Sequence, residues 1–255
     1  MVQTPIQPKA LYPDSDGQPM AENTEQYRWI AKLVTNLKHL LRDQVAFVAG
    51  DLLWYPVQVP ENQKPPRQAP DVMVVLGRPQ QRRGSYKQWE EAGIAPQVVF
   101  EIISPSNSIT EMLDKQAFYA QYGAQEMYFY DPDTRKFWGL VRHSTSAAAW
   151  LTISIETQPW TSPGLGIRFE LREAGLAIFY PDGEPFKEPE EGLLERDMAR
   201  QERDAAQQER DAAQQERDAA QQERDAAQQE WAAAQQERDR LAAKLRELGV
   251  DPDGV

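Results

Sequence analysis

The sequence predicts an α/β sandwich followed by one long helix, and three observations predict it. Short apolar runs rich in Val, Ile, Phe and Tyr stand before and after a central helical segment, and a second helical segment precedes them all. From residue 190 onward the chain is almost wholly Ala, Gln, Glu, Arg and Asp. Strands on both sides of a helix, with another helix in front, pack as layers around one core. The chain has 255 residues and is 40% hydrophobic, enough for a sizeable core, which must lie before about Phe186.

The elements follow in order. Residues 1–19, rich in Pro and Asp, are expected to lie loosely on the surface. A domain is expected over 20–188, a heptad-repeat helix over 189–248 and a disordered end over 249–255. The first helix begins near Glu22. In ENTEQYRWIAKLVTNLKHLLRD the apolar positions Ile30, Leu33, Val34, Leu37, Leu40 and Leu41 recur at spacings of three and four, which marks one buried face. Asn23 or Thr24 can cap it. In VAFVAGDLLWYPVQV, Gly50 and Asp51 separate two strand-like runs, which predicts a hairpin. APDVMVVLG is the next strand, and the basic loop GRPQQRRGSYKQ leads to the apolar run of APQVVFEIISPSNS between Pro96 and Pro105.

A helix is expected over about 108–122, with Gly123 as its C-cap. EMYFYDPDTRKFWGLV predicts two strands joined at a DPDT turn. WLTISIE and IRFEL are further short strands, and residues 171–180 read as helical.

In the tail, QERDAAQ recurs unchanged at 201, 208, 215 and 222 and then loosens. These residues are strong helix formers. If Leu241, Leu245 and Leu248 mark a coiled-coil seam, the same register puts Ala206, Ala213, Ala220 and Ala227 at one seam site but Arg203, Arg210, Arg217 and Arg224 at the other. A weak dimer or other self-assembly through 189–248 and a solvated single helix both fit that pattern.

Composition narrows the function. There is no cysteine, so disulfides, thiolate zinc sites and cysteine nucleophiles are excluded. The histidines are His39 and His143, and nothing places a serine beside either, which argues against a Ser/His hydrolase. No window approaches a membrane span and the N-terminus lacks the regions of a signal peptide, so a cytoplasmic location is expected. The net charge is −12, but residues 190–255 hold 18 Asp and Glu against 10 Lys and Arg, which leaves only −4 on the domain. A near-neutral domain can still present a basic face to phosphates, and Arg78, Arg82, Arg83 and Lys87 form the densest basic stretch. A solvated loop is the plainer reading of them.

Glu101 is the conspicuous residue: one carboxylate in the run Val98, Val99, Phe100, Ile102, Ile103. A carboxylate is almost never buried without a partner. Asp71, after Pro70 and before VMVVL, offers a second carboxylate on another strand. If those strands are neighbours the two acids converge, and a Mg²⁺ or Mn²⁺ ion would relieve their repulsion.

From about residue 22 to 132 the chain resembles the Uma2 family, a domain of unknown function described as restriction endonucleases with the PD-(D/E)xK fold. GDLLWYP, APDVMVVLG, VVFEIISPSNS and DKQAFYAQYGAQEMYFYDP carry the likeness. The resemblance implies an α/β restriction-endonuclease-like core, a mixed central sheet flanked by helices, and a magnesium-dependent hydrolase acting on DNA. It implies that Asp71 and Glu101 hold the metal. The lysine of the pattern should stand at position 103, where this sequence has Ile103. The resemblance then points to a lysine displaced onto the following helix, which is Lys115, and to Glu22 as an additional acid from the first helix. Each residue has a plainer role: Asp71 as a turn residue, Glu101 and Lys115 as a structural ion pair, Ser104 and Asp131 as turn formers, Tyr119 and Tyr122 as packing. A nuclease-fold scaffold without activity, assembled through its tail, is the rival reading.

Overall fold

The computed structural model describes residues 11–17, 19–142 and 149–249. Helix α1 (Thr24–Leu40) starts at Asn23, whose side chain accepts a hydrogen bond from the Gln26 N–H at 2.8 Å. That bond satisfies one of the N–H groups a helix start leaves open. Trp29, Ile30, Leu33 and Leu37 form its buried face, at the spacing read from the sequence.

The expected hairpin at Gly50–Asp51 does not form. Strand β1 (Ala46–Gly50) leads instead through a turn to β2 (Trp54–Tyr55). β1 pairs antiparallel with β3 (Val72–Leu76), while β2 pairs in parallel with β4 (Tyr86–Lys87). The reason lies in the glycine. A Cβ at Gly50 would stand 3.0 Å from Ile30 and 3.2 Å from Val34, so the residue lets α1 approach the sheet closely. Leu53, Trp54 and Tyr55 are all buried in succession, which a two-faced hairpin strand could not achieve.

Strand β5 (Val98–Ile102) pairs antiparallel with β3 and in parallel with β6 (Glu126–Asp131). A parallel pair needs a crossover, and helix α2 (Ile109–Tyr122) supplies it. The Ser108 hydroxyl caps α2 by accepting from the Glu111 N–H, and Gly123 ends it at φ +116°. The Asp131 carboxylate accepts from the N–H groups of Asp133 and Thr134, both at 3.0 Å, and turns the chain into β7 (Lys136–Val141). With β8 (Leu151–Ile153) at its edge, the main sheet has the order β1-β3-β5-β6-β7-β8.

A second sheet joins β9 (Trp160–Thr161), β10 (Arg168–Arg172) and β11 (Gly175–Phe179). Residues 171–180 are therefore not helical. Pairing with β10, burial of Leu176 and Ile178, and a hydrogen bond from the Leu176 N–H to the Tyr130 hydroxyl outweigh the local helix preference of Leu and Ala.

Alternation along the central strands sends successive residues to opposite faces. Val72, Phe100 and Tyr128 join Trp29, Leu33, Phe169 and Ile178 on the α1 side. Met73, Val99 and Met127 join Met112 and Tyr119 on the α2 side. The N-terminal segment is less loose than expected: Tyr12 is hydrogen-bonded to Val59 and Pro13 to Tyr55. Residues 1–10, His143 and residues 250–255 lie outside the described residues.

The chain divides into a unit ending at Glu191 and a unit beginning at Gly192. Helix α3 (Pro189–Glu247) is 59 residues long and has no buried residue. Its repeat lacks opposite charges three or four residues apart, but Gln207, Gln214 and Gln221 donate to Asp211, Asp218 and Asp225, each at 2.8 Å, four residues on. Such pairs support an isolated helix modestly. The domain's own closing contacts end at Glu188, which accepts from Arg28 at 2.7 Å and from Lys32 at 2.8 Å. A chain truncated after Glu191 is therefore expected to fold and to melt within about 2 °C of the full chain. Failure of that domain to fold in thermal or chemical denaturation would show that it needs the helix.

Candidate functional site

The strand registers build the site. Val72 opposes Phe100, and continuing that antiparallel register by one residue sets Asp71 opposite Glu101. Gly50 opposes Val72, and the next pair is Asp51 with Asp71, whose main chains are joined by the Asp51 N–H bonding to the Asp71 carbonyl at 3.1 Å. Asp51, Asp71 and Glu101 therefore form a row across three neighbouring strands. Opposed residues of antiparallel strands project toward the same face, so the two strand acids read from the sequence are brought together.

Each carboxylate has its own holders. Asp71 accepts from the Ile102 N–H at 2.6 Å and from Gln26 Nε2 at 3.4 and 3.5 Å. Glu101 is 2% exposed, accepts from Lys115 Nζ at 2.8 Å on one oxygen and from the Tyr119 hydroxyl at 2.5 Å on the other. Lys115 and Tyr119 are four residues apart on α2 and so lie on one side of it, which lets both reach a single carboxylate. Ile103, where the nuclease pattern would have its lysine, packs into the core on the α2 side. Lys115 brings an ammonium to Glu101 from the helix instead.

Glu22 stands within reach of the Lys115 charge and is held by two serines. Its carboxylate accepts from the Ser104 hydroxyl at 2.5 Å and from the Ser106 hydroxyl, fastening the loop after β5 to the start of α1. Those two hydroxyls, Ser104 foremost, hold its pKa below the usual carboxylate range. Among the described residues no hydrogen bond joins Glu22 to Asp71 or Glu101. The α1 side chain that does touch Asp71 is Gln26, one turn further on. It is buried, donates to the Ile102 carbonyl at 3.1 Å as well, and accepts from the Glu22 N–H at 2.9 Å. Its signal in the sequence was position: Gln26 continues the buried spacing of Trp29, Ile30 and Leu33 with a polar residue.

Asp51 was the other residue missed, having been read as half of a turn. Its φ of +46° is rare for a residue other than glycine and is characteristic of positions that the surrounding structure holds in place.

Burial foremost, and then the charge of Glu101, pushes the Asp71 pKa up to about 8, against the opposing pull of Lys115, the Ile102 N–H and Gln26. Burial likewise raises Glu101, opposed by Lys115 and Tyr119. For Lys115, burial works against the ammonium, yet the carboxylates of Glu101 and Asp71 outweigh it and the net shift is upward. One ammonium thus faces two buried carboxyl groups, so one of the two must hold a proton or take a further cation.

The chemistry of this donor set fits a hard divalent ion. Among the described residues no group of three or more His, Cys, Asp or Glu is arranged to enclose a metal. Two carboxylates with water completing the shell is nevertheless the way Mg²⁺ is commonly held. Asp71 and Glu101 are the residues that would hold it.

The basic loop is largely spoken for. Glu91 accepts from Arg78 Nε at 2.7 Å and from Arg83 Nε at 2.6 Å, and Lys87 stands 3.6 Å from Glu90. The Arg83 side chain is only 4% exposed and its guanidinium lies 4.2 Å from the Phe47 ring centre, so it supports the fold. Arg82 is exposed.

Residues 12–179 match the Uma2 family, described as "Putative restriction endonuclease". The match spans more than half of the chain, and the chain belongs to that family. A similar solved structure is that of "a putative nuclease belonging to DUF820" from Anabaena variabilis, at 15% identity and a TM-score of 0.41, covering 60% of this chain and 81% of that one. No curated protein matches.

In metal-free protein the folded state keeps a proton on Asp71 up to about pH 8, whereas an unfolded chain releases it at about pH 4. The native state then binds more protons, so this contribution to stability is complete below the unfolded pKa and is lost as pH rises through the folded one. Thermal melts in EDTA should show the midpoint falling as pH rises across that window, and Asp71→Asn should flatten the fall. Parallel curves for the two proteins would contradict the assignment.

Proposed function

We propose that this Uma2 domain is a divalent-metal-dependent endonuclease that hydrolyses phosphodiester bonds of DNA and acts in the cytoplasm. The observation that carries the reading is the 2.8 Å contact of Lys115 with Glu101, which puts an ammonium from α2 beside the acid pair although position 103 is isoleucine. Bound between Asp71 and Glu101, Mg²⁺ or Mn²⁺ would supply Lewis-acid polarisation of a phosphate oxygen and a more acidic water. Lys115, kept charged by the two carboxylates, is placed to stabilise the negative charge that develops on the phosphate as the bond breaks. Tyr119 and Gln26 orient Glu101 and Asp71, and Glu22 holds the loop that follows β5. Arg82, with Lys87 and Arg78 at the loop's flanks, is the part of the basic stretch suited to meeting the DNA backbone.

Self-assembly through 189–248 belongs to the same proposal. Leu194, Met198, Trp231, Leu241 and Leu245 on α3, and Leu248 just past its end, are exposed in the single chain, and a second copy would cover them.

One observation favours a second reading, an inactive binding or scaffold protein: Lys115 and Tyr119 already satisfy both oxygens of Glu101, as a purely structural ion pair would. A plasmid-nicking assay with Mg²⁺, Mn²⁺ or EDTA separates the two. Wild type should nick with either metal and not in EDTA. Lys115→Met keeps much of the apolar stem and loses the ammonium, so it should stay folded while nicking falls by about 10²-fold or more. Full nicking by folded Lys115→Met would remove Lys115 from the mechanism, and no nicking by wild type with any divalent metal would favour the scaffold.

A further inference from the structure

Strand β1 is one end of the main sheet, and its residues AFVAG carry no charge and no proline. An edge of that kind is open to pairing with another chain unless something covers it. In the ladder with β3, the Asp51 N–H bonds to the Asp71 carbonyl and the Val45 carbonyl accepts from the Gly77 N–H. Antiparallel alternation then turns residues 45, 47, 49 and 51 toward β3 and the main-chain groups of Ala46, Val48 and Gly50 away from the sheet. Yet Ala46, Phe47 and Val48 are all buried.

The cover is the side chain of Gln80. Its amide oxygen accepts from the Val48 N–H at 2.9 Å and its Nε2 donates to the Val48 carbonyl at 3.3 Å, the two bonds that a neighbouring strand would make. Gln97 does the same inside the sheet, where its amide accepts from the Leu76 N–H at 2.7 Å and donates to the Leu76 carbonyl at 3.3 Å. The basic loop holds Gln80 in place. Arg78 and Arg83, on either side of it, both bond to Glu91, and Arg83 also donates to the Pro79 carbonyl at 3.1 Å. Gln80 itself is an exposed residue, so moving it uncovers β1 without opening the core.

We propose that β1 is a covered association edge: the Gln80 amide stands in for a neighbouring strand, and where it is withdrawn β1 pairs antiparallel with β1 of a second copy. A second copy is the occupant that fits because the strand is its own complement. About a two-fold axis at Val48, the two strands offer each other the same outward groups, Val48 to Val48 and Ala46 to Gly50, and neither strand carries a charge to repel its copy. A cavity of about 330 Å³ beside the edge, lined by Leu41, Val45, Ala46 and Pro79 alongside Lys38 and Arg42, leaves room for the side chains an added strand brings. The basic loop, largely bound to acids, thereby acquires a task that does not depend on the nuclease reading.

The test is sedimentation of the full chain over a range of concentrations, together with hydrogen exchange at the Val48 amide. Any association through 189–248 is common to all the proteins compared, so wild type and Gln81→Ala, altered at the exposed neighbour, give the baseline. Gln80→Ala should associate at about tenfold lower concentration, the effect of one or two net hydrogen bonds. In dilute solution its Val48 amide should exchange faster than in wild type, and in concentrated solution it should slow again as a second strand takes the place of the glutamine. A purely local role for Gln80 would give fast exchange at every concentration. Adding Ala46→Pro removes an N–H that points away from β3 and should return Gln80→Ala to the baseline. Gln80→Asn, one methylene shorter, should repeat the effect of Gln80→Ala. Sedimentation of both Gln80 variants at the baseline, Val48 exchange that ignores concentration, or association that survives Ala46→Pro overturns the proposal, as does a failure of both Gln80 variants to fold.

Discussion

A carboxylate sealed between a sheet and a helix is the constraint on which this domain depends. Glu101 is the fourth of five consecutive buried strand residues, and α2 closes over it with Lys115 and Tyr119. Leaving such a charge without partners would cost about 3–5 kcal/mol, a large share of the stability of a typical domain. The position of α2 is therefore tied to Glu101 as firmly as to the apolar contacts of Met112 and Tyr119.

The same economy appears on the other side of the sheet. Gln26 reaches from α1 to Asp71 and to the Ile102 carbonyl, so one amide connects a helix to both acid-bearing strands. Glu22 does the same for the loop beyond β5 through Ser104 and Ser106. The two helices thus meet at the acid pair from opposite faces, each bringing donors. What they leave is two buried carboxyl groups beside one ammonium, a balance that either a proton on Asp71 or a further cation completes.

Local chemistry was the legible part of the sequence. The Gly123 cap of α2, the DPDT turn and the buried face of α1 depend on residues close together in the chain, and all were readable. The strand pairing of β1 was not, because its partner begins more than twenty residues later and Gly50, which reads as a turn residue, serves contact with α1 instead. Residues 171–180 misled for a similar reason: their strand depends on β10 and on the Tyr130 hydroxyl. Asp71 and Glu101 stood out as charges against apolar runs, and Lys115 followed from a family resemblance. Gln26 and Asp51 carried no such contrast. A neutral amide in the first turns of a helix and an aspartate after a glycine both look like ordinary surface chemistry until the register is known.

Whether Asp71 and Glu101 together take up a divalent cation is read from the stability of the folded protein with and without metal. Ligands that bind only the folded state stabilise it by mass action. Mn²⁺ or Mg²⁺ should raise the melting temperature of wild type and have much less effect on folded Asp71→Asn or Glu101→Gln. Equal shifts in all three proteins would contradict the claim.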